Sequence, residues 1–428
     1  MPDGNSTVFE KLETGTNINL YHFHTRKFKS VTIKVFFTGV LDRDIEAKAI
    51  LPFILKRGSR EFPSLAAISQ ELERLFGTRL VLDVHKLGER QMMVAILDMV
   101  NERLIPGGAS VFEAGLRLLR DVLTRPLCEA EGFVTNLFDS EKRNLERFIR
   151  SQINDKATYA NIRLVEEMFK DRPFGRYHWG QPDGVQALDP VATFAAFRRF
   201  ISTAPIDLYV MGDLSGEQAG EIFRSLFGGA ERGQEATIPE DSGPAPGAGE
   251  IIEEEQPVEQ SKLAMGFNVA NDCDDATYYA LFFYNAILGG GSYSKLFKNV
   301  REKESLAYYA HSAYDKIKGF LKVVAGIHRD NFGKATEIVR QQMEEIAAGR
   351  ISDEEFGSAK KALLNVIRSV LDSPAQMIDY HKVALLGGRE IRIERIEERI
   401  AKIQPDDVVA AAGLVTPGKT FFLKGTAG

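Results

Sequence analysis

Cysteine is nearly absent from this chain of 428 residues: Cys128 and Cys273 are the only two, and they lie far apart. They can form one bridge at most, so no disulfide framework supports the fold and a reducing compartment is expected. Cys128 follows Pro126-Leu127, an apolar setting that reads as a structural thiol. Long apolar runs are missing too. None approaches the roughly 18 residues that a membrane span needs, and MPDGNSTVFEKLETG has neither the basic nor the apolar region of a signal peptide. Positive charge is not in excess: 54 Lys and Arg face 60 Asp and Glu, a net charge of -6. That disfavours nucleic acid as a partner. A cytoplasmic protein with no membrane and no nucleic-acid partner is expected. Gly-x-Ser-x-Gly, Cys-x-x-Cys and His-Glu-x-x-His motifs are all lacking.

What is present suggests a duplication. Apolar residues make up 44% and charged residues 27%, the proportions of a globular protein, and the length suits two domains. GGAERGQEATIPEDSGPAPGAGE, residues 228 to 250, is rich in Gly, Pro and acidic residues and reads as a linker. The domains expected are therefore 1–228 and 251–428, with a linker at 229–250. VTIKVFFTGV then IEAKAILPFILKRG in the first half matches SKLAMGFNVA then ATYYALFFYNAILGGG in the second: strand, apolar helix, glycine. ISQELERLFGTRLVLDV matches YSKLFKNVREKESLAYYAHS, and IDLYVMGDLSGEQAGEIFRSLFGG matches KTFFLKGTAG in opening on a hydrophobic strand. The offset is about 230 residues, the mark of an internal repeat. Ile68, Leu72, Leu75 and Phe76 form one helix face. Ser352 with Glu355 is a capping box, and Gly349 a helix C-cap. Strands interleaved with helix pairs give each half one sheet covered by helices.

Several motifs invite chemistry. Gly289 to Gly291 end a helix and lack the Gly-Lys-Ser/Thr context of a phosphate loop, so a C-cap with a close backbone approach is the plainer reading. His22 and His24 share one face of a half-exposed strand and could hold zinc, but no neighbouring Cys, Asp or Glu completes a set. His85, His178, His311, His328 and His381 are isolated. Arg301 and Tyr308 stand where VREKESLAYY runs from a helix end into a strand. A guanidinium fork and a phenol could face one groove and donate to a carbonyl or oxyanion. On spacing alone, surface charge plus a core tyrosine is the stronger reading.

LGGGSYSKLFKNVREKESLAYYAHS, the half-ending IDLYVMGDLSGEQAGEIFRSLFGG, the KRGS after the first long helix and the duplicated layout together resemble the M16 family of zinc metallopeptidases (pitrilysin, insulinase, mitochondrial processing peptidase). The resemblance implies an α+β fold, an α/β sandwich of two homologous LuxS/MPP-like metallopeptidase-type domains. Each would be a mostly antiparallel sheet covered by helices. In that family a His-x-x-Glu-His motif on the first long helix binds Zn²⁺ and activates water. Counted back from Gly58, its positions here are Ala49, Pro52 and Phe53, none of which can bind metal or take a proton. Pro52 would also kink the helix. The downstream glutamate falls near Glu141 or Glu146, and anchoring on Glu141 places the ligand position near Phe148. The family's second element, an Arg/Tyr pair that contacts substrate, is retained as Arg301 and Tyr308.

The resemblance thus implies a chain without cofactor that pairs with a His-x-x-Glu-His-containing M16 peptidase subunit, or with itself, and helps bind an extended peptide. Zinc is expected only in the partner. LPFILKRGS, NDKATYA and VREKESLAYYAHSAYDKIKGFLKVVAGI resemble the bacterial YfmF-like members, associated with 5-aminopentanol modification of elongation factor P. The rivals are a stand-alone peptide-binding scaffold and a self-sufficient hydrolase with ligands relocated to His22 and His24.

Overall fold

The computed structural model describes residues 8–14, 18–105, 111–228, 232–233, 238, 243–244, 249–270 and 273–426. In the first half, β1 (Glu10–Leu12), β2 (Ile18–His24), β3 (Ser30–Val40), β4 (Arg79–Leu87), β5 (Arg90–Val100) and β8 (Ile206–Gly212) form one sheet. The two-residue strands β6 (Cys128–Glu129) and β7 (Gly132–Phe133) pair apart from it. The sheet order is β1-β2-β8-β3-β5-β4, and β2 with β8 is its one parallel pair among the described residues. The second half arranges β9 (Ile251–Gln256), β10 (Ser261–Val269), β11 (Ala307–Asp315), β12 (Phe320–Ile327) and β13 (Val415–Gly425) as β9-β13-β10-β12-β11. Here β9 with β13 is parallel and the rest antiparallel. Setting β2 against β9, β8 against β13, β3 against β10, β5 against β12 and β4 against β11 makes the two topologies identical. The expected duplication is therefore present, with β1 as an extra edge.

The first half's helices are α1 (Ile45–Ala49), α2 (Leu51–Leu55), α3 (Leu65–Arg74), α4 (Phe112–Thr124), α5 (Thr135–Asn154), α6 (Lys156–Met168), α7 (Pro182–Gln186), α8 (Pro190–Thr203) and α9 (Gly216–Phe227). The second half has α10 (Asp275–Gly289), α11 (Phe332–Ala347), α12 (Asp353–Val370), α13 (Pro374–Leu386), α14 (Ile393–Lys402) and α15 (Pro405–Ala412). Each half packs one core between its sheet and its own helices. The outer sheet faces are covered by exchange. Ala160, Leu164 and Met168 of α6 lie with Ala264, Phe320, Val324, Phe421 and Leu423 of the second sheet. Met377 and Ile378 of α13 lie with Phe23, Phe36, Met92, Val94, Tyr209 and Met211 of the first. This explains why β3 reads as an almost unbroken buried run: both of its faces are covered. Val31, Ile33, Val35 and Phe37 face one core and Phe36 the other.

The exchange seams bury charge. Lys318 of the second half pairs with Glu89 of the first, both essentially inaccessible. Glu89 also accepts from the Phe174 N–H at 2.6 Å. On the α13 side, Lys382 pairs with Asp207 and Lys34 with Asp379. Such charges are tolerated in an interior only when paired.

Several local expectations hold. The Ser352–Glu355 capping box forms, and Gly349 follows α11 at φ 74°. Gly289, the last residue of α10, is a close approach: a Cβ there would stand 2.4 Å from the Ser312 nitrogen. Pro52 does break the first helix, since α1 and α2 are separated at Ile50. Three expectations fail. Cys128 is exposed in the short β6–β7 hairpin, not a structural core thiol. Phe76 leaves the helix face at φ 57° and is 56% exposed, because α3 has already ended. β2 is largely buried instead of half-exposed, because it lies inside the sheet under α13. The expected linker, 229–250, falls mostly outside the described residues.

Candidate functional site

Pro52, Phe53 and Phe148, expected at positions of the family's metal site, come together around a cavity of about 510 Å³. Pro52 and Phe53 of α2, Leu82 of β4, Phe148 of α5 and Trp179 line it. Ala49 lies one turn earlier, fully buried in the core. Counting from Gly58 and from Glu141 thus led to two elements that do meet: the Phe53 and Phe148 rings are 6.2 Å apart. Trp179 closes the group, edge-on to Phe148 at 4.8 Å and to Phe53 at 6.1 Å. Gln181 N–H donates to Glu46 of α1 at 3.0 Å and fixes the chain just after Trp179. Nothing in the spacing of Trp179 marked it, since it arrives from a segment without regular structure. Its being the only tryptophan in the chain was the one available signal.

Leu65 of α3 and four charged side chains, Lys56, Arg57, Asp83 and Glu141, complete the lining. Glu141 is buried and forms an ion pair with the Arg57 Nε at 3.3 Å, while Asn144 donates to its other oxygen at 2.9 Å. Burial lowers the Lys56 ammonium below its usual range, and Asp83 offsets only part of that. Burial alone would raise Asp83, but the His85 ring and the Val84 N–H outweigh it and hold the carboxyl low. His178, beside Trp179, is pushed down to about 3 by burial and by Lys86.

This set does not fit zinc. Catalytic zinc takes nitrogen, sulfur or carboxylate donors at about 2 Å, typically three from the protein. Ala49, Phe53 and Phe148 offer none, and aromatic rings line the space where α2 and α5 meet. Glu141 is engaged by Arg57. Among the described residues no three His, Cys, Asp or Glu side chains form a group that could hold a metal ion. His22 and His24 are engaged elsewhere: His22 Nε2 and His24 Nδ1 both contact the Leu214 carbonyl, at 3.0 and 3.1 Å, and so tie β2 to the turn after β8.

Arg301 and Tyr308 sit in the second half, on either side of a sharp turn. Arg301 belongs to a π-helical turn, Phe297–Lys303, and its guanidinium lies over the Phe297 ring at 4.8 Å. Ser305 at φ 50° reverses the chain into β11. The β11–β12 register slips between Ala307 and Tyr309, and this bulge leaves Tyr308 77% exposed. It is not the core tyrosine that the plainer reading supposed. Arg301 is exposed as well, and no hydrogen bond joins the two among the described residues. β11 is the terminal strand of its sheet, as β4 beside the cavity is of the other.

Residues 194–363 match the family described as "Peptidase M16 inactive domain", a stretch that contains Arg301 and Tyr308 and stops short of the cavity positions. A Bacillus subtilis protein named "Probable inactive metalloprotease YmfF" is 32% identical over 94% of this chain and 95% of its own length. The crystal structure of a conserved protein from Enterococcus faecalis superposes with a TM-score of 0.90 at 26% identity, covering 97% of this chain and 98% of that one. A Pseudomonas fluorescens peptidase M16 inactive domain superposes at 0.78 with 19% identity over 98% of each chain, a likeness of fold. No helix among the described residues is long and apolar enough to cross a membrane.

Proposed function

Because the chain belongs to the M16 peptidase family and is an inactive homologue within it, we propose that it serves as the Arg/Tyr-bearing, non-catalytic subunit of a two-chain cytoplasmic peptidase. A second M16 chain carrying His-x-x-Glu-His supplies the zinc. This chain holds the extended peptide. The reading is carried by one contrast: aromatic rings replace the metal donors between α2 and α5, while Arg301 and Tyr308 remain exposed beside an edge strand. A guanidinium and a phenol so placed can donate to a peptide carbonyl or to charge developing on it.

The test is reconstitution with a His-x-x-Glu-His chain from the same organism. A stable heterodimer, with peptide cleavage that falls on Arg301→Ala or Tyr308→Phe, supports the proposal. Full cleavage by the zinc chain alone, unaffected by either substitution, would sink it. A second reading, a stand-alone peptide-holding scaffold or homodimer, is favoured by the apolar cavity, which needs no partner to exist. Peptide binding by the isolated chain would point that way.

A further inference from the structure

We infer that the cavity between α2, α5 and β4 is a binding pocket for one neutral aromatic side chain of a polypeptide, built where the metal donors would stand. The inference rests on the peptide-holding reading and names what the first domain selects. The size is right: about 510 Å³ lies within the range of ligand pockets and accommodates a single large side chain with part of its backbone. The walls are right as well. Phe53, Phe148 and Trp179 present ring faces and edges at mutual distances of 4.8 to 6.2 Å, the spacing at which aromatic groups pack in tilted and edge-on pairs. A further ring would continue the same pattern.

Charge excludes the alternatives. Two cations and two anions line the space, so it offers no net charge to an ionic ligand. Arg57 is already committed to Glu141. Lys56 shows that the cavity resists additional positive charge, since burial weakens even a resident ammonium with Asp83 close by. A carboxylate would enter beside buried Glu141, and a lysine side chain would add to Lys56 and Arg57. A neutral apolar group is what remains. The backbone of the ligand also has partners: β4, which contributes Leu82 and Asp83 to the wall, pairs only with β5 and leaves its other edge free among the described residues. An extended segment paired there directs alternate side chains to one face.

Trp179 makes the test direct, because it is the sole tryptophan and lines the pocket. The full chain is titrated with a capped, tryptophan-free Ser/Thr peptide carrying one central phenylalanine, and with versions carrying alanine, lysine or glutamate there. The expected result is a saturable change in Trp179 emission with phenylalanine, and about ten- to hundredfold weaker binding of the other three. Leu65→Tyr, at the half-exposed rim, should weaken the phenylalanine peptide while leaving circular dichroism and the melting temperature unchanged. Equal binding of the alanine or lysine peptide overturns the inference. So does a flat Trp179 signal at peptide concentrations where the reconstituted pair cleaves the same peptide, an outcome that leaves the two-subunit proposal standing. Loss of cleavage dependence on Arg301 with an intact Trp179 response would do the reverse. Stoichiometric Zn²⁺ quenching Trp179 would also overturn it, by restoring a metal site.

Discussion

The helix that follows the first long strand can be compared between the two domains. After β10, α10 runs unbroken for 15 residues, is buried on every side, and stacks Phe283 on Phe356 of α12 at 5.1 Å. After β3, the same slot holds α1 and α2, broken at Ile50 ahead of Pro52, and Phe53 meets Phe148 of α5 across an open cavity. The corresponding pairs of elements thus carry one aromatic contact in each domain. In the second domain the contact closes a core. In the first it leaves room. Because the duplicated fold stacks Phe283 directly on Phe356 at the corresponding place, the cavity beside Phe53 is not a demand of packing.

The two domains are locked together through their seams, and the largest loss of stability is expected there. Lys318→Met removes the cation paired with buried Glu89 and should cost about 3–5 kcal/mol in denaturant unfolding. Adding Glu89→Leu should recover much of that loss. A single substitution that costs nothing would mean that the two sheets are not held as described. Acid tests the other seam. His381 of α13 contacts the Tyr209 hydroxyl at 3.0 Å and is pushed down to about 4, by burial first and then by Lys382 against the opposing pull of Asp207. The native ring stays neutral where an unfolded one, titrating near 6.5, would gain a proton. Stability should therefore be full above pH 6.5 and fall by on the order of 3 kcal/mol as pH drops toward 4. His381→Gln should flatten that slope. His178, lowered for the same reason, leaves a remainder in the same window.

The seams themselves were not legible in the sequence, and the reason is physical. The patterns of β3, β10 and α10 are local, so strand, helix and terminal glycine could be read from spacing alone. The apolar face of α6 shows that the helix is covered but not by which sheet. Likewise nothing in the sequence pairs Lys34 with Asp379 or Lys318 with Glu89, because the partners lie hundreds of residues away. The altered metal site was legible in part. Gly58 fixed Ala49, Pro52 and Phe53 by counting, and Glu141 led to Phe148, but only through family resemblance. Trp179 came from a loop with no period to follow. Tyr308 was open to two readings until the bulge in β11 chose between them.

The cavity itself offers a sharper contrast. Phe283→Ala removes a fully buried ring from a closed core and should cost about 3–5 kcal/mol. Phe53→Ala removes a ring that already borders space, so the loss should be smaller, about 1–2 kcal/mol by the transfer contribution alone. Equal costs would mean that the first domain is as tightly packed as the second, and the difference drawn here would disappear.

The smallest expected effect concerns the residues for which the second domain is proposed to matter most. Arg301 and Tyr308 are exposed, and the Arg301 guanidinium rests on the half-buried ring of Phe297. Arg301→Ala and Tyr308→Phe should each change stability by no more than about 0.5 kcal/mol. Ser305 at positive φ and the strand bulge shape the turn, and Arg301 and Tyr308 project from it into solvent. If either substitution unfolds the protein or lowers its melting temperature by many degrees, those side chains are structural and the contrast between a closed core and a presenting surface fails. If stability holds while cleavage by the reconstituted pair drops, the second domain keeps its core closed and its function at the edge. In the first domain the corresponding aromatic contact, Phe53 with Phe148, borders a cavity instead.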